Sequence, residues 1–201
     1  MIRVLLAEDQ DMVRGALAAL LALEPDIEVV AQVDRGDEVV PAALESRPDV
    51  ALVDIEMPGG GGIEATDALR RELPGCRVLI LTTFGRPGYL RRALAAGASG
   101  FMLKDAPAPE LAVAIRRTMA GERVVDPQLA VQALSEGDSP LSPRETEVLA
   151  ASADGATLAE VARQLYLSEG TVRNHLSAAI QKLEARNRME AVRIAREKGW
   201  L

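Results

Sequence analysis

Cysteine, histidine and aromatic residues are almost missing from this chain, and each shortage narrows what it can be. Cys76 is the one cysteine, so no intrachain disulfide can form, and the composition fits a reducing compartment. His175 is the one histidine. Without a cysteine cluster beside it, a His-based zinc site is not available. Aromatics make up 2% of the residues, so Leu, Val and Ala must fill the core. Long apolar runs are missing too. Ala16–Leu23 is the longest near the N-terminus and falls short of the roughly 20 residues a bilayer span needs. Met1–Ala7 runs straight into Glu8-Asp9, which makes a poor signal peptide. These features predict a soluble, cytoplasmic protein with no membrane partner.

Positive charge is in deficit, with a net charge of −7. The deficit is uneven. Residues 140–201 carry nine Lys and Arg against eight Asp and Glu, leaving fourteen against twenty-two for the rest. An acidic part joined to a nearly neutral part suggests two domains with different partners. The 201 residues, 48% hydrophobic, suffice for two small cores. There is no internal repeat and no low-complexity tract.

The first part alternates apolar runs with amphipathic stretches. Strands are expected at Ile2–Ala7, Glu28–Val33, Val50–Asp54, Val78–Thr82 and Gly100–Leu103. Helices are expected at Asp11–Leu23, Asp37–Ser46, Ile63–Glu72, Tyr89–Ala96 and Glu110–Ala120. Five such units imply an α/β fold with a doubly wound, five-stranded parallel sheet. Met57-Pro58 and the glycines at 59–62 read as a mobile loop. After Gly121 the pattern changes to a short helix at Asp126–Leu134 and a linker through Pro140. The last part is all helical. Ser142-Pro143-Arg144-Glu145 and Thr157-Leu158-Ala159-Glu160 are capping boxes, Asn187-Arg188-Met189-Glu190 has the same spacing, and Ser168 caps the helix between them. The predicted domains are 1–121, a connecting stretch 122–139, and a four-helix domain 140–201.

The chemistry sits at strand ends. Glu8-Asp9 closes the first run, Asp54 the third, Thr82 the fourth and Lys104 the fifth. In an open parallel sheet, ligands bind outside the carboxyl ends of the strands where strand order reverses. Any one of these acids could merely cap a helix or start a turn. Together they predict phosphoryl transfer. Asp54 is the nucleophile, Glu8, Asp9 and Asp54 hold Mg²⁺ with a backbone carbonyl near Glu56, and Thr82 and Lys104 meet the phosphoryl oxygens. Glu8-Asp9, Asp54 with Met57-Pro58, Thr82 and Gly97–Lys104 resemble the receiver domain of two-component response regulators. That resemblance implies a flavodoxin-like fold, phosphorylation by a sensor histidine kinase, and a switch in which Thr82 moves and Phe101 changes rotamer. Where many receivers have Asp, Glu8 stands; where many have Tyr, Phe101 stands and no hydroxyl can report the switch. Phe101 is otherwise a core aromatic.

In the last part Val172, Leu176, Ala179 and Leu183 form a buried stripe at helical spacing. Arg173, Asn174, Ser177 and Gln181 occupy another face and suit base edges. Thr171, His175 and Lys182 flank it and suit phosphates. With the preceding helix Leu158–Leu165 and the turn Tyr166-Leu167-Ser168, this predicts a helix-turn-helix that reads double-stranded DNA. Leu141–Glu145, Val161-Ala162, Leu167-Ser168, Thr171–Leu176, Lys182-Leu183 and Asn187–Ala191 resemble the LuxR-type DNA-binding domain. A receiver joined to it is the plan of the NarL/FixJ class. Within that class, Leu81–Tyr89 and the ending Lys198–Leu201 are similar to the DesR-like branch. Ser177 replaces a lysine found in some members, which implies a different operator or a weaker phosphate grip. The expected protein is a phosphorylation-switched transcription regulator that dimerises and binds paired half-sites. It is not a metabolic enzyme, beyond slow loss of its own phosphoryl group. Two other readings stay open: a DNA-binding protein with a vestigial receiver, and a Mg²⁺-dependent phosphohydrolase.

Overall fold

The computed structural model describes residues 1–83, 87–125, 130–131, 139–153 and 155–201. The expected helix at 126–134 lies outside these residues except for Ala130 and Val131, which are helical, and the expected linker lies outside them up to residue 138. Phe84, Gly85 and Arg86, inside the segment compared with DesR-like regulators, also lie outside them. Contacts divide the chain into two compact units, the first formed mostly of residues up to 131 and the second holding the C-terminal helices.

In the first unit the strands are β1 (Ile2–Ala7), β2 (Ile27–Val33), β3 (Val50–Asp54), β4 (Arg77–Thr82), β5 (Gly100–Leu103) and β6 (Val124–Val125). They form one parallel sheet in the order β2-β1-β3-β4-β5-β6. The helices are α1 (Asp11–Leu21), α2 (Gly36–Ser46), α3 (Gly62–Glu72), α4 (Pro87–Ala95) and α5 (Ala108–Met119). Successive strand residues face opposite sides. Val4, Leu6, Val50, Leu52, Leu79 and Leu81 pack with α1 and α5. Leu5, Ala51, Val53 and Ile80 are equally buried on the other side, where α2 and α3 lie. Burying each Leu or Val in this way contributes about 1.5–3 kcal/mol. This is why β3, central in the sheet, is apolar at every position but its last.

The sheet has six strands where five were expected. β6 has two residues, Val124 and Val125, paired with Gly100 and Phe101 of β5. Two residues are too few to show an alternating pattern. Arg116 makes a second link that the sequence does not announce. Its guanidinium spans α5 to the turn after α1, 2.9 and 2.5 Å from the Asp26 carboxylate and 2.6 Å from Glu24. These hydrogen bonds hold the Asp26 carboxyl below its ordinary range.

The second unit contains α6 (Pro143–Ala151), α7 (Leu158–Gln164), α8 (Glu169–Lys182) and α9 (Arg188–Glu197). Each starts on its own side-chain cap. Ser142 and Thr157 form full capping boxes with Glu145 and Glu160. Ser168 Oγ accepts the Thr171 N–H at 3.1 Å, and Asn187 Oδ1 the Glu190 N–H at 3.0 Å. The last box is incomplete, because the Glu190 carboxylate turns instead to the Arg186 backbone and guanidinium. Val172, Leu176, Ala179 and Leu183 join Val148, Leu149, Val161 and Val192 in the core. Among the described residues, no helix is long and apolar enough to cross a membrane.

Candidate functional site

Strand order reverses between β1 and β3. β1 connects to β2 on one side of it, while the chain continues through β3, β4 and β5 on the other. Ala7 pairs with Val53, so the residues that follow meet across the two strand ends. Carboxylate oxygens of Glu8, Asp9 and Asp54 lie within 4.8 Å of one another. Glu8 is fully buried and Asp54 nearly so, whereas Asp9 is exposed. Lys104 reaches in from the end of β5. Its Nζ lies 2.6 Å from Glu8 Oε2 and 3.0 Å from Asp54 Oδ2. A cleft of about 430 Å³ opens beside this cluster, lined by Asp9, Gln10, Asp54, Glu56, Thr82 and Thr83.

Local backbone holds the acids in place. The Ile55 N–H donates to Asp54 Oδ1 at 2.8 Å, the Gln10 N–H to Glu8 Oε1 at 3.2 Å, and the Arg14 guanidinium to the Glu8 carbonyl at 2.6 Å. The glycine run is part of this frame. Gly60 adopts φ +102°, and a Cβ on Gly62 would stand 1.9 Å from the Asp54 carbonyl oxygen. Pro58 O accepts the Gly36 N–H and Ile55 O the Gly62 N–H, both at 2.9 Å. The loop read as mobile is thus tied at both ends. Burial pushes the Asp54 carboxyl up, and Lys104 partly offsets that. Burial works against the Lys104 ammonium, but Glu8 and Asp54 outweigh it and raise it. Such a cluster can bind a hard cation, and Asp54 lines the cleft beside it.

Phe101 does not join this cleft. It is buried on β5 and lines a separate cavity of about 400 Å³ with Met102, Ala106 and Val124. Tyr89, on α4, donates its hydroxyl to Glu56 Oε1 at 3.0 Å, a link that neither residue's neighbours in sequence reveal. Cys76, just before β4, is buried, and burial pushes its thiol up to about 12.

In the second unit Arg173, Asn174, Ser177 and Gln181 are exposed along α8, opposite its buried stripe. Thr171 and His175 are half-buried beside them. The Thr171 hydroxyl meets Ser168 Oγ at 2.8 Å. Lys182 is committed as well. Its Nζ pairs at 2.7 Å with Glu145, which is 7% exposed and also takes the Ser142 N–H. Lys182, then Ser142, hold the Glu145 carboxyl below its ordinary value. The members of this pair are 37 positions apart, and no local pattern announces it.

Comparison with known proteins decides the family. The response regulator receiver domain matches residues 4–116, and the luxR family of bacterial regulatory proteins matches residues 139–195. The chain is a response regulator of the NarL/FixJ class. It is 48% identical over 200 residues to the transcriptional regulatory protein DesR of Bacillus subtilis, covering 100% of this chain and 99% of DesR. An uncharacterized transcriptional regulatory protein of the same organism, YvfU, is also 48% identical, over the full length of both. The crystal structure of ChrA, a response regulator of a heme-sensing two-component system, aligns with 100% of this response regulator and 98% of ChrA, at 37% identity and TM-score 0.59. The two-component response regulator RcsB in complex with DNA aligns over 98% of each chain at 25% identity and TM-score 0.68.

Proposed function

We propose that this response regulator stores a phosphoryl group on Asp54, received from the phosphohistidine of a sensor histidine kinase, and converts it into binding of paired DNA half-sites. The observation that carries the reading is the meeting of Glu8, Asp9 and Asp54 within 4.8 Å, with Lys104 between two of them, at the point where strand order reverses. An Asp54 carboxylate oxygen attacks phosphorus, the P–N bond breaks, and its electron pair stays on the imidazole nitrogen. Glu8, Asp9, Asp54 and the Glu56 carbonyl are the donors for Mg²⁺; all are hard oxygen ligands, and the ion would offset charge on the incoming group. Thr82 and Lys104 contact the phosphoryl oxygens. The chain turns over no metabolite; slow hydrolysis of its own acyl phosphate resets it. No membrane is involved, and the place of action is the cytoplasm. The domains that do this are 1–121 and 140–201.

Transmission follows from Thr82, at the end of β4. Phosphorylation favours the state in which its hydroxyl has moved to the phosphoryl group and Phe101 has changed rotamer, and that state forms a homodimer. Thr82→Ala is expected to accept phosphate from acetyl phosphate as wild type does, yet to stay monomeric by light scattering where phosphorylated wild type shifts to dimer. A variant that dimerises normally would remove Thr82 from the switch.

For DNA, Arg173, Asn174, Ser177 and Gln181 read base edges, and Thr171, His175 and Lys182 face phosphates. Arg173→Ala is expected to cost about 1–3 kcal/mol and to relax preference at one base pair per half-site. Lys182→Ala should weaken all sequences alike and lower the salt slope by about one unit. It should also lower the melting temperature, because Glu145 loses its cation. Titrations against specific and scrambled duplexes at several salt concentrations separate the two roles. Equal, sequence-independent losses would end the base-reading role of Arg173. Genome-wide mapping of bound DNA with and without a phosphodonor tests the whole reading; occupancy indifferent to the phosphodonor would favour a vestigial receiver.

A further inference from the structure

Three non-glycine residues among those described have left-handed backbone: Arg47 at φ 46°, Tyr166 at φ 55° and Glu184 at φ 51°. All three lie at helix ends, after α2, α7 and α8, where glycine or asparagine is the usual residue because a Cβ is crowded there. Arg47 and Glu184 carry long charged side chains that suit water. Tyr166 does not, and it is 96% exposed. Its ring packs against almost nothing, so folding gains neither a favourable backbone nor buried surface from it. Strain without packing is an observation that points to a partner.

Its place narrows the partner. Tyr166 stands in the turn between α7 and α8, two residues before Ser168, the cap of α8. Two arginines meet this turn. Arg144, which also pairs with Glu147, donates from Nη2 to the Leu165 carbonyl at 3.1 Å. Arg163 is exposed, and its carbonyl accepts the Tyr166 N–H at 3.4 Å. In a helix-turn-helix the first helix crosses the DNA backbone and the start of the second enters the major groove. The turn between them is therefore carried over the rim of the groove, where the phosphates lie.

We propose that Tyr166 is a DNA contact whose phenolic O–H donates to a backbone phosphate at the rim of the groove that α8 reads. This rests on the DNA-binding reading of α8. A neutral donor displaces no counterion, so the contact adds affinity without adding salt dependence. Phosphates carry no base identity, so the gain is the same for every sequence.

The test uses the full chain, treated with acetyl phosphate, and a fluorescent duplex of mixed sequence. Tyr166→Phe is expected to weaken binding about ten- to a hundredfold, the loss of one hydrogen bond to a charged acceptor, with the salt slope unchanged. Tyr166→Gly should bind at least as poorly and yet melt at a higher temperature, because the strain is gone. Tyr166→Phe binding like wild type, or Tyr166→Gly melting lower than wild type, would overturn the proposal. Failure of wild type itself to bind any duplex at low salt would instead strike the DNA-binding reading, and the proposal with it.

Discussion

Asp54→Asn is expected to take up no phosphoryl group from acetyl phosphate or from a kinase, while remaining folded. Asparagine keeps the shape of the side chain and an oxygen to accept the Ile55 N–H, which lies 2.8 Å from Asp54 Oδ1. It lacks the carboxylate that forms the acyl phosphate. Lys104 keeps its second partner, Glu8, at 2.6 Å. The exchange also removes a carboxyl that burial has pushed up and that the neighbouring Glu8 pushes up further, so the melting temperature should hold or rise. Wild type should lose labelling when a chelator is added, because three carboxylates then face the incoming phosphate with one ammonium to balance them. Radiolabel on Asp54→Asn, or wild-type labelling that ignores the chelator, would mean that the acceptor lies elsewhere.

Lys104→Ala should be the most destabilising single change at this site. It leaves Glu8 and Asp54, both buried, without their shared cation. Removing one partner of a buried ion pair typically costs about 3–5 kcal/mol. Part of that cost can be relieved by protonation. Burial already raises the Asp54 carboxyl against the pull of Lys104, so with the ammonium gone it titrates higher still in the folded chain than in the unfolded one. An acid raised in this way is unpenalised below its unfolded value, and stability falls as pH rises through its folded value. The gap between variant and wild type, measured by urea unfolding, should therefore be small near pH 5 and large near pH 8, spanning the ordinary carboxylate range and a raised one (about 4 upward). Added Mg²⁺ should narrow it at the higher pH. A gap independent of pH and Mg²⁺ would show that Lys104 acts through packing alone.

The sites were legible where chemistry interrupts a strong pattern. Asp54 stands out because four apolar residues precede it in a strand whose five positions are all buried. Glu8 and Lys104 stand out for the same reason, and the sheet then brings them together. The α8 faces were legible because Val172, Leu176 and Ala179 repeat at helical spacing. What stayed hidden depends on distance along the chain or on backbone angle. Arg116 meets Asp26 across 90 positions, and Lys182 meets Glu145 across 37; neither pairing leaves a local trace. The two-residue β6 is too short to repeat a strand's alternation, and the strain at Tyr166 is a torsion angle that no residue type declares.

The side-chain caps on all four C-terminal helices bear on the order of events at the ribosome. Each cap closes over three residues, so helix starts there are specified by neighbours in the chain, and local contacts of this kind favour fast folding. The sheet is the opposite case. Its pairings join segments such as Val4 with Val50 and Leu79 with Gly100, and distant parallel pairing is slow. Translation adds about 5–20 residues per second. Once Val125 has been made, the remaining residues take roughly 4–15 s at that pace. The slow half is thus made first and given time to close its sheet before the fast half, which binds DNA, can form.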